Sequence, residues 1–185
     1  MYIETAYNEE DIVRRAQHDD RSAVKMLYDQ NVGYLTAACA RYISDDNAVK
    51  DILQNAFLLI FRSLRKFSYR GEGSFRAWAT RIVVNEALKS FRGPKTLPLP
   101  ETEPAAQEDP PDIPAVPMKV LLDMIRKLPD GYRTVFNLYV FEDLSHKEIA
   151  KRLGIKEDSS ASQLSRARTI LSKQIKQYKK THDNG

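Results

Sequence analysis

PKTLPLPETEPAAQEDPPDIPAVP, residues 94–117, contains eight of the nine prolines in this chain. Proline has no amide hydrogen to donate and pushes the residue before it out of the helical region, so neither a helix nor a central strand can run through such a segment. It reads as an extended, mostly solvated tether. On both sides the sequence is dense, proline-poor and periodic. The expected architecture is all-α: one helical module over residues 1–93, a Pro-rich flexible linker over 94–117, and a second helical module over 118–185.

Composition narrows what such modules do. With 185 residues, 42% of them hydrophobic, the chain can bury one core or two small ones. Charged residues interrupt every apolar run well before the roughly 18 residues that a membrane span needs. The N-terminus MYIETAYNEED is acidic where a secretion signal is basic. A cytoplasmic chain without membrane insertion is expected. Cys39 is the single cysteine, which leaves no intramolecular disulfide and no multi-cysteine metal cluster. His18, His146 and His182 are scattered without ligand spacing, so no metal or other cofactor is expected.

Charge is distributed unevenly. Residues 1–61 carry six basic and ten acidic side chains, 62–93 eight basic and two acidic, 94–117 one basic and five acidic, and 118–185 fourteen basic and eight acidic. Two basic surfaces, each set apart from an acidic one, suit two contacts with a polyanion such as nucleic acid. A basic run taken alone more often means only a solvated helix face, so the argument needs motifs.

In the first module, Asn8 followed by Glu9, Glu10 and Asp11 reads as an N-cap with acids in the first turn of a short helix ending near His18. Asp20 or Ser22 restarts the chain. Val24, Leu27, Tyr28, Leu35, Ala38, Cys39 and Tyr42 then recur at helical spacing, the apolar stripe of one long helix with Cys39 as a buried small hydrophobe. Ser44 to Asn47 is a break and a new cap, and Val49, Ile52, Leu53, Ala56, Phe57, Ile60 and Leu64 form the next stripe. Gly71 and Gly73 end it, and Ser74 is a candidate cap for a last helix carrying Phe75, Trp78, Ile82, Val83 and Leu88.

Between those last two helices, FRSLRKFSYRGEGSFRAWATRIVVN (61–85) interleaves Phe61, Phe67, Tyr69, Phe75 and Trp78 with Arg62, Arg65, Lys66, Arg70, Arg76 and Arg81. Cations hold phosphates while exposed rings and a loop pocket accept unpaired bases, each stack being worth roughly 1–3 kcal/mol. Trp78 fits the helical stripe and is read as core. Tyr69 and Arg70, beside Gly71, are the better loop candidates for a nucleic-acid contact.

The second module carries a sharper signature. Pro129 and Gly131 precede a helix bearing Val135, Phe136, Leu138 and Tyr139, and Ser145-His146-Lys147-Glu148 has the form of a capping box. Ile149, Ala150 and Leu153 form the inner face of the helix that starts there, Gly154 closes it, and a long helix from about Glu157 carries Leu164, Ala167, Leu171, Ile175 and Tyr178. Small Ala150 and the turn at Gly154 give a helix-turn-helix pattern. Arg166, Arg168, Lys173, Lys176, Lys179 and Lys180 decorate the second helix and its tail.

Four stretches, DILQNAF (51–57), FRAWATRIVVN (75–85), LPDGYRTVFNLYVFEDLSHKEIAKRLGI (128–155) and LSRAR (164–168), taken in order around the tether, resemble the extracytoplasmic function group of bacterial sigma factors. The resemblance runs from about Asp11 to Tyr178. It implies sigma region 2 and region 4 modules that act without catalysis, binding core RNA polymerase and directing it to promoter DNA. Asp51, Gln54 and Phe57 would dock on the clamp helices of the largest polymerase subunit. Phe67, Ser68, Tyr69, Arg70, Arg76, Arg81 and Asn85 would recognise and open the −10 element, with a flipped base entering the loop around Ser68 to Ser74. The helix from Glu157 onward would lie in the major groove of the −35 element, with Ser159, Ser162, Gln163, Arg166 and Arg168 facing DNA. Gln163 would pair with adenine and Arg166 would meet phosphate. The hydrophobic face near Val135 to Phe141 would help grip the polymerase flap, and a membrane-linked anti-sigma protein is an expected partner.

The chain departs from the family pattern in two places. Lys50 and Asn55 stand where the family usually has acids, and Asp158, Ser159, Ser160 and Ala161 replace the usual start of the recognition helix. A free-standing helix-turn-helix regulator would explain the second module alone, but it needs a dimer interface, and no heptad repeat is present. An enzyme acting on nucleic acid would need a motif such as a phosphate loop, HExxH or CxxC, and none occurs.

Overall fold

The computed structural model describes residues 8–91 and 116–182. The tether expected over 94–117 lies outside them except for Val116 and Pro117. Among the described residues all regular structure is helical, and the chain divides after Ser90 into two compact units.

The first unit contains α1 (Glu9–Gln17), α2 (Arg21–Ala40), α3 (Asp46–Ser63) running into a 3-10 turn (Leu64–Lys66), and α4 (Ser74–Lys89). Each of the first three helices starts where a short polar side chain accepts a free amide of the first turn. Asn8 Oδ1 takes Glu10 N–H at 3.2 Å, Asp20 Oδ1 takes those of Ser22 (2.9 Å) and Ala23 (3.2 Å), and Asp45 Oδ1 takes that of Asn47 (3.1 Å). Between the two candidates for restarting the chain, Asp20 is the cap. Its carboxyl is held below the usual range by a hydrogen bond from Arg15 and by the capped amides.

Helix α2 packs on α1, α3 and α4, and α3 packs on α4. Ile12, Val13, Leu27, Leu35, Cys39, Tyr42, Ile60, Leu64, Phe75 and Val83 fill the space between them. Burial pushes the Cys39 thiol up to about 11, as suits a small core hydrophobe. One expectation fails at α4. Ser74 is the first helical residue, and the cap position belongs to Gly73, whose φ of 80° only glycine adopts without strain. Ser74 Oγ instead accepts the Arg70 N–H at 3.2 Å, closing the loop on itself.

The second unit contains α5 (Met118–Arg126), α6 (Asp130–Val140), α7 (His146–Leu153) and α8 (Glu157–His182). Helix α5, which the sequence reading passes over, starts at Pro117 and closes a core of Val116, Met124, Ile125, Leu128, Tyr132, Ala167, Leu171 and Ile175. Helix α6 starts at Asp130, so Gly131 lies inside its first turn rather than before it. The capping box is present in both directions: Glu148 N–H donates to Ser145 Oγ at 3.3 Å, and Ser145 N–H donates to Glu148 Oε2 at 2.9 Å. Gly154 turns the chain at φ 71° so that α8 crosses α7.

The two bonds from Ser145 lower the pKa of the Glu148 carboxyl below its usual value. A carboxylate depressed on folding adds stability that is complete above its unfolded pKa and is lost as pH falls through the folded one. Ser145→Ala is therefore expected to lower the melting temperature of the second unit at pH 7 and to flatten its fall below about pH 4.5, near the ordinary value for glutamate. Circular dichroism melts between pH 3 and 7 give the comparison. Identical pH profiles for both proteins would remove the box as their cause.

Candidate nucleic-acid and polymerase interfaces

The loop from Phe67 to Gly73 stands on an aromatic floor. Half-buried Phe67 lies 4.8 Å from the Trp78 ring and 6.0 Å, edge-on, from Phe75, centroid to centroid, while Phe75 is 1% exposed. Positive φ at Gly71 (114°) and Gly73 (80°) makes the tight return into α4. Ser68 and Arg70 are exposed and Tyr69 half-buried. Desolvation raises the pKa of the Tyr69 hydroxyl, as do the negative charges of Glu9, Glu10 and Glu72 and a hydrogen bond to Glu9, so it stays a neutral donor.

Exposed Arg81 and Asn85, four residues apart, share one face of α4. Arg76 turns aside toward α2. Its Nε donates to Asn31 Oδ1 at 3.2 Å, and its guanidinium carbon sits 5.0 Å from the Tyr34 ring centroid. Asn31 is itself buried and donates from Nδ2 to Leu27 O at 2.8 Å, which fixes the amide so that its oxygen faces Arg76.

On α3, Asp51, Gln54, Asn55, Leu58 and Arg62 are all exposed, and a spacing of three, four, seven and eleven places them on one outward stripe. Phe57 is not on it. At 7% exposure, and 4.7 Å from Tyr28 and 5.9 Å from Phe61 between centroids, it supports this face from beneath. The apolar group at the surface is Leu58, 50% exposed. The sequence reading missed it, although its place seven residues after Asp51 was visible.

On α8, Ser162 and Arg168 are exposed, and Ser159 and Arg166 half-buried. Arg166 reaches Tyr132 Oη at 3.4 Å. Arg168 lies over the Tyr139 ring, 5.6 Å from its centroid, and the other ring partner of Tyr139 is His146, stacked at 5.0 Å. His146 Nδ1 in turn meets buried Ser160 Oγ at 3.0 Å. Gln163, expected to face DNA, is 2% exposed and so offers almost no surface to a base edge. The face from Val135 to Phe141 is likewise mostly interior. Val135 and Leu138 are fully buried, and only Val140 and Phe141 are exposed large hydrophobics there.

These two constructions match two known sequence families in the same order. The Sigma-70 region 2 family matches residues 27–95, and the Sigma-70, region 4 family matches residues 118–171. The chain belongs to the extracytoplasmic function group of sigma-70 factors. The ECF RNA polymerase sigma-E factor of Haemophilus influenzae is 28% identical over 179 residues, covering 89% of this chain and 93% of that protein. The RNA polymerase sigma-H factor of Pseudomonas aeruginosa is 26% identical over 187 residues, covering 92% and 95% respectively. A solved structure of CnrH in complex with the cytosolic domain of CnrY is 23% identical, covers 91% of this chain and 97% of that one, and gives a TM-score of 0.48. As a sigma factor the protein is a transcription initiation factor that binds RNA polymerase and confers promoter specificity. The reading as a free-standing regulator is not favoured, since it leaves the region 2 match without a role. Among the described residues, no helix of this sigma factor is long and apolar enough to cross a membrane.

Proposed function

We propose that the region 2 unit captures and opens the −10 element through the loop 67–73 and the outer face of α4, while the N-terminal half of α8 reads the −35 element. The observation that carries this reading is the loop itself, seven residues whose Phe67 packs on Phe75 and Trp78, with exposed Arg70 within it and exposed Arg81 on the α4 that follows. An unpaired base can stack or enter there while the arginines hold its phosphates, offsetting an unstacking cost of a few kcal/mol. In that reading Ser68, Tyr69 and Asn85 meet bases. The stripe Asp51–Gln54–Leu58 docks on the clamp helices of the largest polymerase subunit, with Phe57 beneath it. The protein performs no chemistry itself.

At the −35 end, exposed Ser162 and Arg168, with half-buried Ser159 and Arg166, form the DNA-facing set without Gln163. Ser162 offers a hydroxyl to a base edge, and Arg168, steadied on Tyr139, holds a phosphate. A cytoplasmic site of action and a membrane-linked anti-sigma partner belong to the same proposal. The exposed rings of Tyr28 and Tyr34 on α2, with Leu58, offer a protein partner apolar surface.

Run-off transcription from fragmented host DNA, with purified core polymerase and with or without this protein, tests the reading. Discrete new transcripts sharing upstream sequence support it, and transcripts indifferent to the protein count against it. With such a promoter in hand, Arg168→Ala should weaken holoenzyme binding on every sequence and reduce the slope of log affinity against log salt by about 1. Gln163→Ala should leave the −35 sequence preference intact. A changed preference for Gln163→Ala would restore that residue to the DNA face.

A further inference from the structure

Helix α1 lies outside the residues matched by either sigma family, yet it grips both ends of the loop just described. At its C-terminal end, Gln17 Nε2 donates to Leu64 O at 3.0 Å and to Phe67 O at 2.7 Å. At its N-terminal end, Glu9 Oε2 accepts the Gly73 N–H at 2.6 Å. Gln17 follows Glu9 by eight positions along the helix, a rise of about 12 Å, so α1 lies along the loop as a splint. Asp19, just beyond α1, pairs with Arg65 in the 3-10 turn, adding a third contact on the same side.

We propose that Glu9 and Gln17 are positioning residues that hold the loop 67–73 in its base-accepting form before any promoter is met. The groups they hold are backbone groups at the two points where the chain leaves one helix and enters the next. Phe67 O lies just past the 3-10 turn that follows α3, Leu64 O closes that turn by accepting the Phe67 N–H at 3.0 Å as well, and Gly73 N–H lies at the entry to α4. Fixing both ends of a seven-residue loop sets the return at Gly71 and the placing of Tyr69. A loop already ordered does not lose its conformational freedom at the moment of base capture. Gln17 sits four residues after buried Val13, on the face turned toward the unit's interior, so a polar residue there has an architectural purpose. The inference rests on the reading of loop 67–73 as the base-capturing element.

The test uses the full chain. Amide hydrogen exchange of the free protein reads the loop without any promoter. Glu9→Ala and Gln17→Glu are expected to accelerate exchange across residues 67–73 by tenfold or more while core amides of α2 and α4 stay protected. Gln17→Glu has the same shape with no hydrogen to donate. Glu9→Gln keeps an acceptor for Gly73 and should remain within twofold of wild type. With core polymerase and a promoter recovered by run-off transcription, Glu9→Ala and Gln17→Glu should lose at least fivefold in transcript yield on duplex template. On the same template with the −10 element pre-opened, the deficit should shrink to about twofold. Unchanged exchange at 67–73 overturns the proposal, as does faster exchange with undiminished duplex transcription. If Gln17→Glu does not fold, Glu9→Ala, at the surface end of α1, carries the test. A wild-type protein that transcribes from neither template refutes the promoter-opening reading instead, and the exchange result still decides whether α1 orders the loop.

Discussion

Phe75→Ala is expected to lower the stability of the first unit by about 3–5 kcal/mol and to abolish promoter opening at temperatures where the rest of the chain is still folded. Phe75 is 1% exposed and meets both Phe67 and Trp78, so its removal leaves a cavity beneath the loop. The surrounding helices close such a cavity only in part, which is why the loss exceeds the transfer free energy of the ring alone. Since a domain of this size is stable by about 5–15 kcal/mol, the substitution consumes a large share of the total. The chain reports on this directly, because Trp78 is its one tryptophan and belongs to the first unit. Urea unfolding followed by Trp78 fluorescence should move to lower denaturant. A midpoint within the error of wild type would mean that the floor is not what supports the loop.

Apolar periodicity made the helices legible. The stripes of α2, α3 and α8, the caps at Asn8, Asp45 and Ser145, and the turn at Gly154 each follow from short-range rules that act within a few residues of one another. Helix α5 has no capping side chain at Pro117 and follows directly on the proline-rich stretch, so short-range start signals do not announce it, although Met118–Arg126 is strongly amphipathic. Ser74 has the chemistry of a cap but not its place, because glycine offers no side-chain signal and the left-handed φ of Gly73 depends on the loop as a whole.

The site was less legible, and three polar residues show why. Gln17, Asn31 and Gln163 all sit in apolar register: Gln17 four after Val13, Asn31 four after Leu27 and four before Leu35, Gln163 four before Ala167. Reading polar side chains as surface by type sent Gln163 toward DNA, whereas its register sends it inward. Two of the three are held there by what they bond, whereas the buried Oε1 of Gln163 has no hydrogen-bond partner among the described residues. Gln17 holds the loop backbone and Asn31 holds Arg76, partners 47 to 50 and 45 residues away respectively. Spacing along the chain identifies the inward polar residue but not its distant partner, and it is the partner that gives the residue its role.

Arg133→Met tests a fourth inward polar residue, in the second unit. Arg133 is 3% exposed and spans the α5–α6 junction, donating from one terminal nitrogen to Arg126 O (2.9 Å) and Leu128 O (3.1 Å) and from the other to Asp130 Oδ1 (2.6 Å). Methionine fills similar space but leaves the carbonyls at the end of α5 without that donor. Hydrogen bonds to a charged group are worth roughly 1.5–3 kcal/mol each, so the expected loss is on the order of 3 kcal/mol for the pair of carbonyls. The Asp130 carboxylate is 60% exposed and stays hydrated after the change, so its ion pair adds little. Arg133→Lys should recover only part of the loss, because an ammonium lacks the planar fork that reaches both sides at once. The circular dichroism transition of the full chain should lose stability in the component contributed by α5–α8, while the Trp78 fluorescence transition stays where it was. A fluorescence shift of equal size would show that the two units unfold together. An unmoved dichroism transition would show that the α5–α6 junction is held by its apolar neighbours Leu128, Tyr132 and Val116, with Arg133 merely accommodated among them.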